Sequence, residues 1–109
     1  MTPPPNPRPV YASMDEVRAA IDALDAELMP LMAARAHCIA EAARIKNDPE
    51  VALVPWRVEE VARNARALGE RHGLDPDLAE KLWRAMMAEF IAHERTLMEQ
   101  AVAGRAAAT

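Results

Sequence analysis

Residues 13–46, SMDEVRAAIDALDAELMPLMAARAHCIAEAARIK, constrain this chain more than any other stretch. Val17, Ile21, Leu24, Leu28, Leu31, Arg35, Cys38, Ala42 and Ile45 recur at alternating steps of four and three. That is the a/d spacing of one long helix whose face packs along another helix. Eight of these nine positions are apolar or small, and the ninth is Arg35. A guanidinium keeps its proton, so an arginine set into an apolar seam needs an anionic partner.

The rest of the composition agrees with helices. Hydrophobic residues make up 51% and aromatics only 4% of 109 residues, which suits packed helices better than a sheet. The length fits one domain, or one subunit of a small oligomer. A net charge of −4 gives no support to a nucleic-acid or anionic-membrane partner. No apolar run is long enough to cross a bilayer and no signal-peptide pattern is present. The single cysteine excludes an intrachain disulfide and fits a reducing compartment, so the expected location is cytoplasmic.

Three segments are expected along the chain. Residues 1–12, with five of the nine prolines, form an extended or disordered arm. Residues 13–102 form the helical domain, and residues 103–109 a frayed tail. Ser13 and Glu16 make a capping box at the start of the first helix. Pro30 removes the bond to the Ala26 carbonyl, and because the heptad stays in phase on both sides it predicts a bend and not a break. Pro49 lies in a loop, and Pro55 opens a second helix of about residues 56–71 that ends at Gly73. Its apolar stripe is Val58, Val61, Ala65 and Leu68. Asp75 and Pro76 start a third helix running to about Val102, with Leu78, Leu82, Trp83, Met86, Phe90, Leu97 and Met98 on its buried side.

The first helix spans about 50 Å, whereas a compact domain of this size has a radius of gyration near 13 Å. Its seam stays apolar throughout, so the expected fold is an all-α, three-helix chain in an intertwined homodimer. Arg35 and Lys46 lie eleven residues apart on one helix face, and Arg18 lies seventeen before Arg35, too far to share a small ligand with it. An antiparallel partner helix brings a second Arg18 beside Arg35 and Lys46. Arg57, just past the following loop, leans toward the same space. Glu94 sits on or beside the apolar stripe of the third helix, where a carboxyl is either paired with a cation or protonated. Together these residues describe a site for a small dianion.

Taken singly, the same residues have plainer explanations. Arg35 pairs structurally with Glu94 or Glu41, and Lys46 and Arg18 are solvated helix-end charges. Arg63, Arg66, Arg71, Arg84 and Arg95 are expected on the surface. His37 with Cys38, and His93 with Glu89, fall short of a metal site.

The run VRAAIDALDAELMPLMAARAHCIAEAARIK resembles the first helix of the all-helical, AroQ-type chorismate mutases. The likeness rests on Arg18 before IDALD at residues 21–25, then Arg35 and Lys46, with HGLDPDLAEKLW and MMAEFIAHE resembling the third helix. It implies an intertwined dimer and a Claisen rearrangement of chorismate to prephenate without a cofactor. By position, Arg18 of one chain and Arg35 of the other bind the substrate carboxylates, and Arg57 contacts a carboxylate. Lys46 donates to the ether oxygen, and Glu94 is the second donor there. A carboxylate cannot donate, so Glu94 must hold a proton, and activity is expected to fall as pH rises. Val54 and Val58 depart from the mutase pattern, which often has acidic residues there, the second holding the substrate's ring hydroxyl. VALVPWRVEEV is closer to the sister isochorismate pyruvate lyases of salicylate formation. A third alternative is a non-catalytic helical dimerisation module.

Overall fold

Ser13 closes the start of the long helix as its composition requires. The computed structural model describes residues 8–108, so the parts of the expected arm and tail at residues 1–7 and 109 lie outside the described residues. The Ser13 side chain accepts from the Glu16 N–H at 3.2 Å, and the Glu16 carboxylate accepts from Ala12 N–H at 2.7 Å. The reciprocal half of the capping box is thus satisfied one residue earlier than expected. Helix α1, Met14–Lys46, runs unbroken through Pro30. Asn47 ends it with φ 55°, a left-handed conformation asparagine tolerates, its N–H bonding the Ala43 carbonyl.

A single 3-10 turn, Pro49–Val51, leads into α2, Pro55–His72, which opens on its proline and stops at Gly73 with φ 80°. Helix α3 is Pro76–Ala108. It continues six residues past its expected end at Val102. The reason is compositional: residues 101–108 are mostly alanine, the best helix former, and the lone Gly104 does not stop them. Among the described residues there is no strand, and no helix is long and apolar enough to cross a membrane. The fold is all-α.

Small residues set how closely α2 and α3 approach. Ala62, Ala65, Gly69 and Ala79 are buried in their antiparallel seam, and a Cβ on Gly69 would lie 2.9 Å from the Ala79 Cβ. Arg66 and Arg84, at the surface as expected, clasp the rim of the seam. Arg66 bridges Asp77 and Glu80, and Arg84 holds Glu59 and Glu80. These guanidiniums hold the Glu59 and Glu80 carboxyls below their ordinary pKa, chiefly by hydrogen bonding.

The second half of α1 lies along α3, with Ala43, Ala52 and Met98 at the centre of the core and Ile91 and Leu97 packed on it. The heptad seam itself is mostly not used within the chain. Ile21, Leu24, Leu28 and Leu31 are 49–67% exposed, and Leu68, Leu78 and Leu82 are also exposed, contrary to expectation for the last three. The covered faces are rotated by about one residue, onto Met32, Ile39 and Ala43 in α1 and Ala79, Met87, Glu94 and Met98 in α3. One chain therefore has two apolar stripes on α1 and fills only one.

Candidate active site

The filled stripe of α1 carries Arg35 and Lys46 to the edge of a cavity of about 450 Å³, within the range of small-molecule sites. Helix α1 supplies Arg35, Ile39, Ala42 and Lys46; the loop adds Ala52 and Val54. The opening turns of α2 add Trp56, Arg57, Val58 and Val61, and α3 closes the floor with Met87, Phe90, Ile91 and Glu94. Each placement has a local cause. Asn47 turns the chain back over the end of α1, and Lys46 Nζ, 3.5 Å from the Ala52 carbonyl, meets the buried Ala52 where the loop descends. Pro55 then begins α2 so that Arg57 falls in its first turn.

Among the described residues Glu94 is the one charged residue buried in the core, with its side chain 4% exposed. Its Oε1 lies 2.9 Å from Lys46 Nζ, yet at an angle that makes no hydrogen bond. The oxygen is neutralised in charge and left free in direction. Arg35 corrects the plainer expectation. Glu94 pairs with Lys46 and Glu41 with Arg44, so neither neutralises Arg35. The Arg35 guanidinium lies 4.8 Å from the centre of the Phe90 ring, a cation–π contact that leaves its in-plane donors unengaged among the described residues. Arg57 also lines the cavity, its guanidinium held by Glu60 one turn on.

Four of the five expected site residues are thus gathered, and Arg18 is not. It stays on the far half of α1, 68% exposed and 3.8 Å from Asp15. The seventeen residues to Arg35 make about 25 Å of helix. Three cations and one carboxylate line the cavity, Arg57 being also paired with Glu60 beside it, so the space is net positive and every other lining residue is uncharged. Such a space favours a dianion with an apolar body. No group of three His, Cys, Asp or Glu residues among the described residues is arranged to hold a metal.

A family model described as chorismate mutase type II matches residues 17–95. The chain belongs to the chorismate mutase type II family. The matched span begins just before Arg18 and ends just after Glu94, so it includes all five residues expected at the site. Comparisons with curated proteins and with solved structures gave no match. What sequence reasoning missed in this family member is part of the cavity's apolar frame, above all Ile39, Met87 and Ile91. Their signal was the helical period of Ile39 with Arg35 and of Met87 and Ile91 with Glu94, obscured by the more regular heptad one residue away.

Proposed function

We propose that this protein is a chorismate mutase, rearranging chorismate to prephenate in a cationic cavity completed by a second copy of the chain. The observation that carries the reading is Arg35, a half-buried guanidinium over Phe90 with no carboxylate partner, facing a cavity that already contains Lys46 and Arg57. The reaction is intramolecular. The ether C–O bond breaks as the enolpyruvyl methylene forms a C–C bond to the ring, with no redox change and no proton added or lost. Catalysis therefore requires only positioning and stabilisation of charge on the ether oxygen.

Arg35 and Arg57, with Arg18 of the second copy, bind the two carboxylates and hold the folded conformer in which the reacting carbons meet. Lys46 donates to the ether oxygen as negative charge develops there. Glu94 is the second group placed at the ether oxygen, beside Lys46. The unused hydrogen-bonding direction of Oε1 supports this assignment. Glu94→Gln, whose amide donates, should keep far more turnover than Glu94→Ala; equal losses in the two variants contradict the role.

The dimer is supported by unfilled surface. The radius of gyration is 18.3 Å against about 13 Å for a compact chain of this length. The accessible surface, 8320 Å², exceeds by roughly 2300 Å² that of a compact monomer of 12.0 kDa. Pairing the exposed α1 stripes antiparallel covers Ile21, Leu24, Leu28 and Leu31 and delivers Arg18 to the opposite cavity. The exposed free thiol of Cys38 is consistent with a cytoplasmic location.

A second reading, isochorismate pyruvate lyase, is favoured by Val54 and Val58, which both face the cavity in the lyase-like segment VALVPWRVEEV. Incubating pure protein with each substrate tests both. Prephenate from chorismate supports the mutase; pyruvate and salicylate from isochorismate support the lyase. Silence with both favours a dimerisation module.

A further inference from the structure

The three cations of the cavity are held in different ways. Lys46 has Glu94 at 2.9 Å, and Arg57 has Glu60 one turn on. Arg35 has neither. Its guanidinium lies over the ring of Phe90, 4.8 Å from the centre, and both side chains are half-buried. Phe90 and Glu94 are one turn apart on α3, so one face of that helix meets the two cations of α1, one by a ring and the other by a carboxylate.

The difference has a chemical consequence. Arginine is among the side chains with most rotamer freedom to lose, so an unanchored Arg35 would have to be ordered at each binding event. A carboxylate would anchor it, but would also oppose its charge and occupy its N–H groups, in competition with an incoming anion. An aromatic face attracts the cation through its quadrupole and takes no N–H.

We infer that Phe90 is a positioning residue, its ring holding Arg35 in place for a substrate carboxylate while leaving the guanidinium's charge unopposed. The inference rests on the proposed function and goes beyond it by assigning what holds this arginine. Phe90 acts through Arg35 and not on the reacting atoms.

Phe90 is the only phenylalanine in the chain, so growth on phenylalanine bearing two or three ring fluorines alters this one ring and no other. Each fluorine draws electron density from the ring face while nearly preserving its shape. KM for chorismate should rise stepwise with fluorine count, to about fivefold with three, the equivalent of a contact of about 1 kcal/mol, and kcat should change far less. Phe90→Tyr, which keeps the aromatic face, should stay within about twofold of the wild-type KM, whereas Phe90→Leu should lose at least as much as the trifluorinated protein. A KM that is flat across the fluorine series, as a ring with only a packing role would give, overturns the inference. So does a KM that falls with fluorine count, the result of direct contact between the ring and an anionic substrate. Equal KM values in folded Phe90→Tyr and Phe90→Leu overturn it as well. No turnover of chorismate by the wild type removes the proposed mutase activity and this inference together; turnover with a flat fluorine series removes this inference alone.

Discussion

Replacing Lys46 with methionine separates what the Lys46–Glu94 pair does for folding from what it does for chemistry. The variant keeps the stem's bulk and removes the charge 2.9 Å from a carboxylate that is 4% exposed. Glu94 Oε1 has no hydrogen bond to fall back on. Stripping the partner from a fully buried charge costs about 3–5 kcal/mol. The Lys46 side chain is 29% exposed, so water reaches the vacated end of the pair, and we take about 2–3 kcal/mol. For a chain of this size that lowers Tm by about 10 °C. Glu94→Gln removes the charge from the buried end and keeps a polar group able to bond there, for a cost of about 1 kcal/mol. The double variant buries no unpaired charge and should recover most of the loss, giving a coupling of about 2 kcal/mol. Urea denaturation at one fixed protein concentration measures all four corners of the cycle, the concentration being held because subunit association contributes to stability. Turnover should behave differently. Lys46→Met loses about 10²–10³-fold in kcat/KM for chorismate, and the double variant stays inactive although its stability returns. A loss of stability below about 0.5 kcal/mol in Lys46→Met, additive with Glu94→Gln, refutes the burial argument. Turnover that returns along with stability refutes the catalytic one.

Two further predictions concern the scaffold. Gly69→Ala should lower Tm by several degrees, a net cost of about 1 kcal/mol, because the new Cβ lies 2.9 Å from the Ala79 Cβ and 3.0 Å from the Leu74 carbonyl oxygen. A rise in Tm, as helix propensity alone would give, contradicts the close α2–α3 approach. The depressed pKa values of Glu59 and Glu80 mean that the folded state binds their protons less readily than the unfolded chain. Their contribution is fully present above the ordinary carboxylate pKa of 4.5 and is lost as pH falls through the lower folded values. Melting curves should show the wild type losing stability on acidification below that point, and its advantage over Glu80→Gln shrinking over the same range. An advantage independent of pH contradicts the role of the arginine clasp.

The sequence carried the ends of the helices because those are local. Ser13, Asn47, Pro55 and Gly73 each act within a turn of their own backbone, and each does so here. It also carried the cationic set, since Arg35, Lys46 and Glu94 are positioned by helical period alone. The assignment of faces was harder. A heptad of large aliphatic residues dominates α1, but the chain packs its own α3 on an overlapping stripe that shares Arg35 and Ala42 with the heptad and adds Ala36, Ala43 and Lys46. Small residues give weak periodic signals while permitting the closest helix approach, which is why Gly69 and Ala79 stood out only in three dimensions. The same applies to the partner of Glu94. Arg35 and Lys46 share a face, and only the descent of the loop onto Ala52 decides that the lysine takes the carboxylate and leaves the guanidinium free.

Subunit complementation tests most directly the claim that two chains build one catalytic cavity. Arg18→Ala and Arg35→Ala should each fold, dimerise and turn over chorismate far more slowly than the wild type. In a mixed dimer one cavity lacks both arginines and the other has both, so only the second is intact. Unfolded together in equal amounts and refolded, the two inactive variants should regain about a quarter of wild-type turnover, half of the dimers being mixed and each of those having one good site of two. The separately refolded variants serve as the baseline. A mixture no more active than that baseline, with mixed dimers demonstrably present, contradicts the shared site.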